Sequence, residues 1–192
     1  KDSSSKAWEK HGFGIFTNSL TKELISGEVN IVVHSFKDLP VKNLNKTSFI
    51  CLEREDPRDV VLIKHSSLKK NKLTIATSSP RRKYFLKLLK NYLPFQSFKS
   101  TTIRGNVQTR LKNILESNKY DGVFMAKAAI DRIFKYGEKV DSIEYKKFKS
   151  LFYKFEKIIL PLSQFPSAAA QGCIALEYRE EDVKTERILK KI

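Results

Sequence analysis

Residues that carry metal and redox chemistry are scarce in this chain. Two cysteines and three histidines in 192 residues fall at no metal-ligand spacing, so a cysteine–histidine metal centre is not the organising feature. Two cysteines are also too few for a disulfide framework. Cys51 and Cys173 lie in the apolar runs Phe49-Ile50-Cys51-Leu52 and Cys173-Ile174-Ala175-Leu176 and read as small buried residues in a reducing compartment. No run of about 18 apolar residues occurs, so no membrane-spanning helix is expected. No secretory signal is visible either, and Lys1 is not a natural start, so a targeting segment can have been removed. No internal repeat or low-complexity segment stands out beyond a lysine bias. Acidic residues are few: 21 against 37 basic ones, a net charge of +16. A chain this basic suits nucleic acid, an anionic membrane surface or a small polyanion. Lysine excess alone does not choose among them.

What is present is a soluble, globular composition, 41% apolar and 30% charged, long enough for one large domain or two small ones. Lysines are spread as generic surface. The nine arginines are not, because five of them lie between positions 81 and 132. The most informative stretch runs from Leu73 to Leu89. Leu73–Ala76 has the make-up of a short buried strand. Thr77, Ser78 and Ser79 form a hydroxyl-rich turn, Pro80 suits a first helical position, and Ser79 is the expected N-cap. Phe85, Leu88, Leu89 and Leu93 then recur at helical spacing. Arg81 and Arg82 fall in the first helical turn, where the helix already carries partial positive charge and favours carboxylates. With no acidic neighbour in the turn, this arrangement suits a bound anion. Solvated surface charge is the alternative.

Along the chain, Lys1–Lys10 reads as a polar mobile segment and Gly12-Phe13-Gly14 as a tight bend. Asn18 or Ser19 caps a helix ending at Gly27. Val29–Val33 reads as a buried strand leading into His34-Ser35-Phe36-Lys37-Asp38-Leu39-Pro40. Strands are expected over 48–53 and 60–64, separated by Arg54-Glu55-Asp56-Pro57-Arg58-Asp59, whose alternating charges suggest internal ion pairing with Arg54 and Arg58 structural. Thr101–Asn106 forms a loop holding Arg104, and the helix after it carries Arg110. A strand over 121–125 precedes a helix bearing Arg132. Residues 135–157 read as lysine-rich and irregular, in the manner of an insertion, and 158–162 as a strand. Ser167–Gly172 is a small-residue turn containing Gln171, followed by a strand over 173–178 and a polar helix. Strand, polar loop and helix recur four times, an α/β pattern in which ligands bind beyond the carboxyl ends of strands. Lys37, Asp38, Thr77–Arg82, Arg104 and Gln171 are placed on such a rim. It suits a ligand with several carboxylates or phosphates.

The segments Val33–Pro40, Thr77–Arg82, Arg104–Leu111 and Ala170-Gln171-Gly172 closely resemble the porphobilinogen deaminase (hydroxymethylbilane synthase) family, in its order and over nearly the whole chain. The resemblance implies two periplasmic-binding-protein-like (type II) α/β domains joined by a hinge, residues 1–60 with 163–192 and residues 61–162, with the active site between them. It also implies a transferase of tetrapyrrole biosynthesis that joins four porphobilinogen molecules head to tail with loss of ammonia. Asp38 would be its catalytic residue. Lys37, Arg81, Arg82, Arg104, Arg110 and Arg132 would bind substrate and cofactor carboxylates, and Thr77, Ser78, Ser79 and Gln171 would hydrogen-bond the cofactor. Read without the resemblance, Asp38 is a turn residue before Leu39-Pro40, and Gln171 part of a turn. The cofactor would be a covalent dipyrromethane on a cysteine expected beyond Ile192, in a third domain, and the family's first strand is expected before Lys1. Neither Cys51 nor Cys173 stands at the attachment position. Pro80 replaces a leucine-like residue, and Ser167–Ala170 a segment containing proline and valine. The implied partners are porphobilinogen and polypyrrole intermediates, with no nucleic acid and no membrane, in a monomer. The absence of disulfide patterning suggests a cytoplasmic compartment, or a plastid-type organelle if a transit segment was removed. Two other readings stand beside it: a non-catalytic polyanion-binding protein on the same fold, and a nucleic-acid binder, which lacks a recognition helix or stacking signature.

Overall fold

The computed structural model describes residues 15–39 and 46–192, with side chains from residue 19 onward. The expectations for Lys1–Lys10, Gly12–Gly14 and Pro40 lie outside the described residues. The chain forms two compact units, residues 1–55 with 168–192 and residues 56–167.

The second unit is built on a five-stranded sheet in the order β5-β4-β6-β3-β7, where β3 is Asp59–Lys64, β4 Lys72–Ala76, β5 Ser97–Thr101, β6 Gly122–Ala126 and β7 Phe155–Ile159. Strands β4, β5 and β6 run parallel, whereas β3 is antiparallel to both β6 and β7. The connecting helices are α2 (Pro80–Leu89), α3 (Val107–Glu116), α4 (Lys127–Val140) and α5 (Ser142–Phe152), after α1 (Ile15–Ser26) of the other unit. Every residue of β3 is buried, as expected of a strand covered on both faces. Val61, Ile63 and Ile75 pack with Phe85, Leu86 and Leu89 of α2. Val60, Leu62 and Val123 pack on the other face with Leu111, Ile114, Phe148 and Phe152 from α3 and α5. Parallel strands in the order second–first–third beside an antiparallel one give the α/β, periplasmic-binding-protein-like layout.

Residues 135–157 are therefore not irregular. They complete α4, form all of α5 and enter β7. Phe134 meets Phe148 and Phe152 with ring centroids 5.3 and 5.0 Å apart. Their helical spacing buries one face while the lysines occupy the others. The strand placed at 158–162 begins earlier, at Phe155.

At the edge where β4 and β6 begin, Asp121 is the buried hub. Its carboxylate accepts hydrogen bonds from the Ser67 hydroxyl and the Lys70 ammonium, both at 2.7 Å, and from the Thr74 N–H at 2.8 Å. Burial pushes its pKa up, but these three donors outweigh it and hold the group below its ordinary value. A folded pKa below the unfolded one means that the unfolded chain holds more protons between the two values. The stabilisation is thus complete above the unfolded carboxylate value of about 3.9 and lost as pH falls through the folded value. Denaturant unfolding at pH 7 and pH 3 is expected to show a smaller acid-induced loss for Asp121→Asn than for the natural sequence.

In the first unit, β8 (Ile174–Arg179) lies between β1 (Val32–Ser35) and β2 (Thr47–Cys51) and is antiparallel to both. Helix α1 packs on β1 and β8, and α6 (Val183–Leu189) brings Leu189 against Leu176 and Tyr178 on the other face. Three expectations change here. Helix α1 starts at Ile15, ahead of Asn18 and Ser19. The strand read at 29–33 is Val32–Ser35, with Val33 63% exposed, because successive side chains of a strand point to opposite faces and Val33 is on the open one. Cys51 is exposed and Cys173 half-buried: Cys51 ends the outer strand β2, and Cys173 sits in the turn before β8. Among the described residues, no helix is long and apolar enough to cross a membrane, and no group of three or more metal-ligating side chains occurs.

Candidate functional site

In the second unit, the carboxyl ends of β4, β5 and β6 share one edge of the sheet, and the helix N-termini of α2, α3 and α4 follow them. Because β3 runs the other way, its first residue, Asp59, pairs with Ala126 at the end of β6 and reaches the same edge. Most of the expected anion-binding residues of this unit lie on it.

The turn after β4 is built by its own side chains. Thr77 is buried and its N–H donates to the Thr101 carbonyl of β5 at 2.7 Å. The Ser78 hydroxyl donates to the Ile103 carbonyl at 2.9 Å, tying the β4 and β5 loops together. Ser79 caps α2, accepting from the Arg82 N–H, with Pro80 in the first turn. Cap and proline stand as the sequence predicts.

Arg81 and Arg82 do have an acidic neighbour, which sequence reading missed. Asp59 is fully buried and accepts from an Arg81 terminal nitrogen at 2.6 Å, and from Nε and a terminal nitrogen of Arg82 at 3.0 and 2.8 Å. The remaining Arg82 nitrogen donates to the Phe124 carbonyl at 3.3 Å. Every nitrogen of Arg82 thus meets a protein acceptor. Burial lowers its pKa despite the Asp59 charge. Arg81 stays partly open, with its side chain 25% exposed against 9% for Arg82. It also donates to the Pro166 carbonyl at 2.8 Å and lies over the Phe85 ring. Two guanidiniums around one carboxylate leave a net positive charge beside a helix N-terminus, which favours an anion.

Arg104 is exposed in the loop between β5 and α3. Gly105 beside it has φ +107°, a backbone region open to glycine. That turn lets Asn106 cap α3 by accepting from the Thr109 N–H at 2.8 Å. Arg110, half-buried, folds its Nε back onto the Gly105 carbonyl at 2.6 Å, and burial lowers its pKa. Arg132 is half-buried on α4. Next to this edge, Arg58 grips Asp56 through Nε and a terminal nitrogen, at 3.0 and 2.7 Å. Lys127 joins Asp56 at 3.3 Å. The Arg58 hydrogen bonds outweigh burial and hold Asp56 far below the carboxylate range.

In the first unit, Lys37 and Asp38 stand on a 3-10 turn, Phe36–Asp38, directly after β1. The Phe36 N–H donates to the Cys173 carbonyl at 3.1 Å, which fastens the turn to the start of β8. Asp38 is exposed and Lys37 half-buried. Gln171 does not follow a strand: it precedes β8 and is buried at 1% exposure. Its carbonyl accepts from the Arg54 Nε at 3.0 Å. Gly172, at φ +96°, leaves no room for a side chain, since a Cβ there would meet the Glu55 carbonyl oxygen at 2.4 Å. Lys37, Asp38 and Gln171 therefore share one edge of this unit's sheet.

Residues 1–187 match the family described as porphobilinogen deaminase, dipyromethane cofactor binding domain. The chain belongs to the porphobilinogen deaminase family. It is 35% identical over 169 residues to a porphobilinogen deaminase of Ruminiclostridium cellulolyticum, covering 88% of this chain and 50% of the relative. It is 36% identical over 185 residues to a probable porphobilinogen deaminase of Picrophilus torridus, covering 94% of this chain and 56% of the relative. The chain thus spans about half the length of the curated porphobilinogen deaminases it matches. Among solved structures, a periplasmic sulfonate-binding protein of Methylobacillus flagellatus aligns over 91% of this chain and 49% of its own, at 17% identity and a TM-score of 0.42.

Proposed function

We propose that this chain supplies the substrate-handling residues of a hydroxymethylbilane synthase, which condenses four porphobilinogen molecules head to tail and releases ammonia. The observation that carries the reading is the cationic edge of Arg81, Arg82, Arg104 and Arg110 in a chain of this family. Porphobilinogen bears an acetate and a propionate, so each added unit adds two carboxylates. Guanidinium forks pair with carboxylates in bidentate geometry. In this reading Arg81, Arg104, Arg110 and Arg132 hold those carboxylates, and Arg82 shares its guanidinium between them and Asp59. Lys37 adds a further cation. Thr77, Ser78 and Ser79 shape the turn that opens α2 and Gln171 the turn before β8, and these four are assigned to hydrogen-bonding the cofactor. The two compact units are read as the two domains of the family.

The same donor set fits a dipyrromethane, itself a small polycarboxylate. When bound, that cofactor supplies the pyrrole carbon that the first substrate molecule joins. Asp38 is assigned the proton traffic: its carboxylate stabilises positive charge on a pyrrole nitrogen and takes or returns a proton as ammonia leaves. Its place on an exposed turn at a strand end suits that role.

Incubating the full-length protein with porphobilinogen tests the reading. Ammonia release with formation of a linear tetrapyrrole supports it. Porphobilinogen binding without ammonia release supports a non-catalytic polyanion-binding protein instead. Arg104→Ala is expected to raise KM for porphobilinogen about tenfold, the size of one lost charge-assisted hydrogen bond, and to leave kcat within about twofold. A drop in kcat at unchanged KM would place Arg104 in the chemistry and overturn its assignment as a carboxylate anchor.

A further inference from the structure

The first unit holds a buried ionisable cluster that the cationic edge does not use. Glu177 stands on the central strand β8 and is 2% exposed. Its carboxylate meets side chains from three different elements. The Thr21 hydroxyl of α1 donates to it at 3.0 Å and the Thr47 hydroxyl of β2 at 2.7 Å, and Nε2 of His34 on β1 lies 2.8 Å from the oxygen that Thr21 also meets. The His34 and Glu177 side chains are each 3% exposed. One carboxylate thus ties a helix and both flanking strands to the middle of the sheet.

His34 occupies a decisive place. Strand β1 is only four residues long, with burial alternating along it. Among the described residues it pairs with β8 alone. His34 is its last inward-facing residue. One residue separates it from the 3-10 turn of Phe36–Asp38. That turn is held in part by the Phe36 N–H on the Cys173 carbonyl and by the Phe36 ring, 4.9 Å from that of Phe49. The His34–Glu177 contact is a buried anchor next to it.

We propose that His34 and Glu177 are positioning residues for Asp38, fixing the end of β1 and hence the turn from which Asp38 acts. The proposal rests on the reading of Asp38 as the catalytic carboxylate. A buried carboxylate satisfied by three donors has one arrangement of low energy, so the strand end inherits a single placement. A displacement of about 1 Å at a reacting group can cost on the order of a hundredfold in rate.

The test uses the full-length protein and separates kcat from KM. His34→Leu keeps a comparable volume but removes the donor. Its kcat is expected to fall about a hundredfold, with KM within about twofold because the His34 side chain is 3% exposed and is none of the residues assigned to substrate carboxylates. His34→Gln retains a side-chain donor and is expected to recover most of that loss, a rescue that lost packing would not show. If His34→Leu does not fold, Thr47→Val removes another donor at equal volume, and a kcat-selective loss of about tenfold is expected. Natural kcat in whichever variant folds overturns the proposal, as does a loss that appears in KM alone or is not rescued by glutamine. If the unmodified protein shows no turnover, the reading of Asp38 fails and this proposal with it. If it turns over and the variants match it, only this proposal fails.

Discussion

Asp59→Ala is expected to destabilise the second unit by about 3–5 kcal/mol, the cost of leaving one member of a buried ion pair uncompensated. The argument rests on where the partner goes. Arg82 is held between Asp59, the Phe124 carbonyl and the Phe124 ring. Its guanidinium cannot swing into water without abandoning all three. Arg81 is different: it is more open and can resolvate, so most of the penalty falls on Arg82. Replacing both members, as in Asp59→Leu with Arg82→Leu, removes the stranded charge and is expected to recover most of the stability, since an apolar pair of similar volume is often neutral or better. Denaturant unfolding of the three proteins checks this. A single variant within about 1 kcal/mol of the natural chain would mean that Arg82 finds water after all. The same series separates stability from binding. The double variant would fold yet lose part of the cationic edge, and its KM for porphobilinogen should rise.

How much of this is legible in the sequence depends on the range of each interaction. The β4 strand, the Ser79 cap and Pro80 are readable because strand, cap and helix start are encoded within neighbouring residues. The placement of Arg104 and Asp38 in loops after strands is readable for the same reason. Asp59 is not. It precedes Arg81 by 22 positions, sits in a run of alternating charge, and reaches the arginines only because β3 is antiparallel to β6 and starts where β6 ends. That register has no local signature. Glu177 escapes notice likewise, since its three donors come from positions 21, 34 and 47. Residues 135–157 mislead in another way. Lysine content masks the helical recurrence of Phe148, Leu151 and Phe152, and periodicity is the better guide. For Cys51, apolar neighbours suggest burial, but a strand at the outside of a sheet exposes its end whatever its composition.

Asp38→Asn in the full-length protein is expected to lower porphobilinogen turnover by about a thousandfold or more, within the range of lost acid–base and charge stabilisation. Asparagine keeps the shape and can still accept a hydrogen bond, so substrate binding should persist. It can neither carry negative charge nor hold a proton in transit. Stability should move by no more than about 0.5 kcal/mol, because Asp38 is exposed and such surface replacements are usually mild. That separation makes the variant diagnostic: a fold defect would lower both quantities, whereas loss of the chemical step lowers one. The denatured intact mass adds a second axis. A dipyrromethane adduct retained on the inactive variant would put Asp38 in the extension reaction. Loss of the adduct together with turnover would put it already in the priming step. Turnover within about tenfold of the natural protein, too small for a lost acid–base group, would remove Asp38 from the chemistry. Asp38 would then be the turn residue that its position before Leu39 and Pro40 also suits.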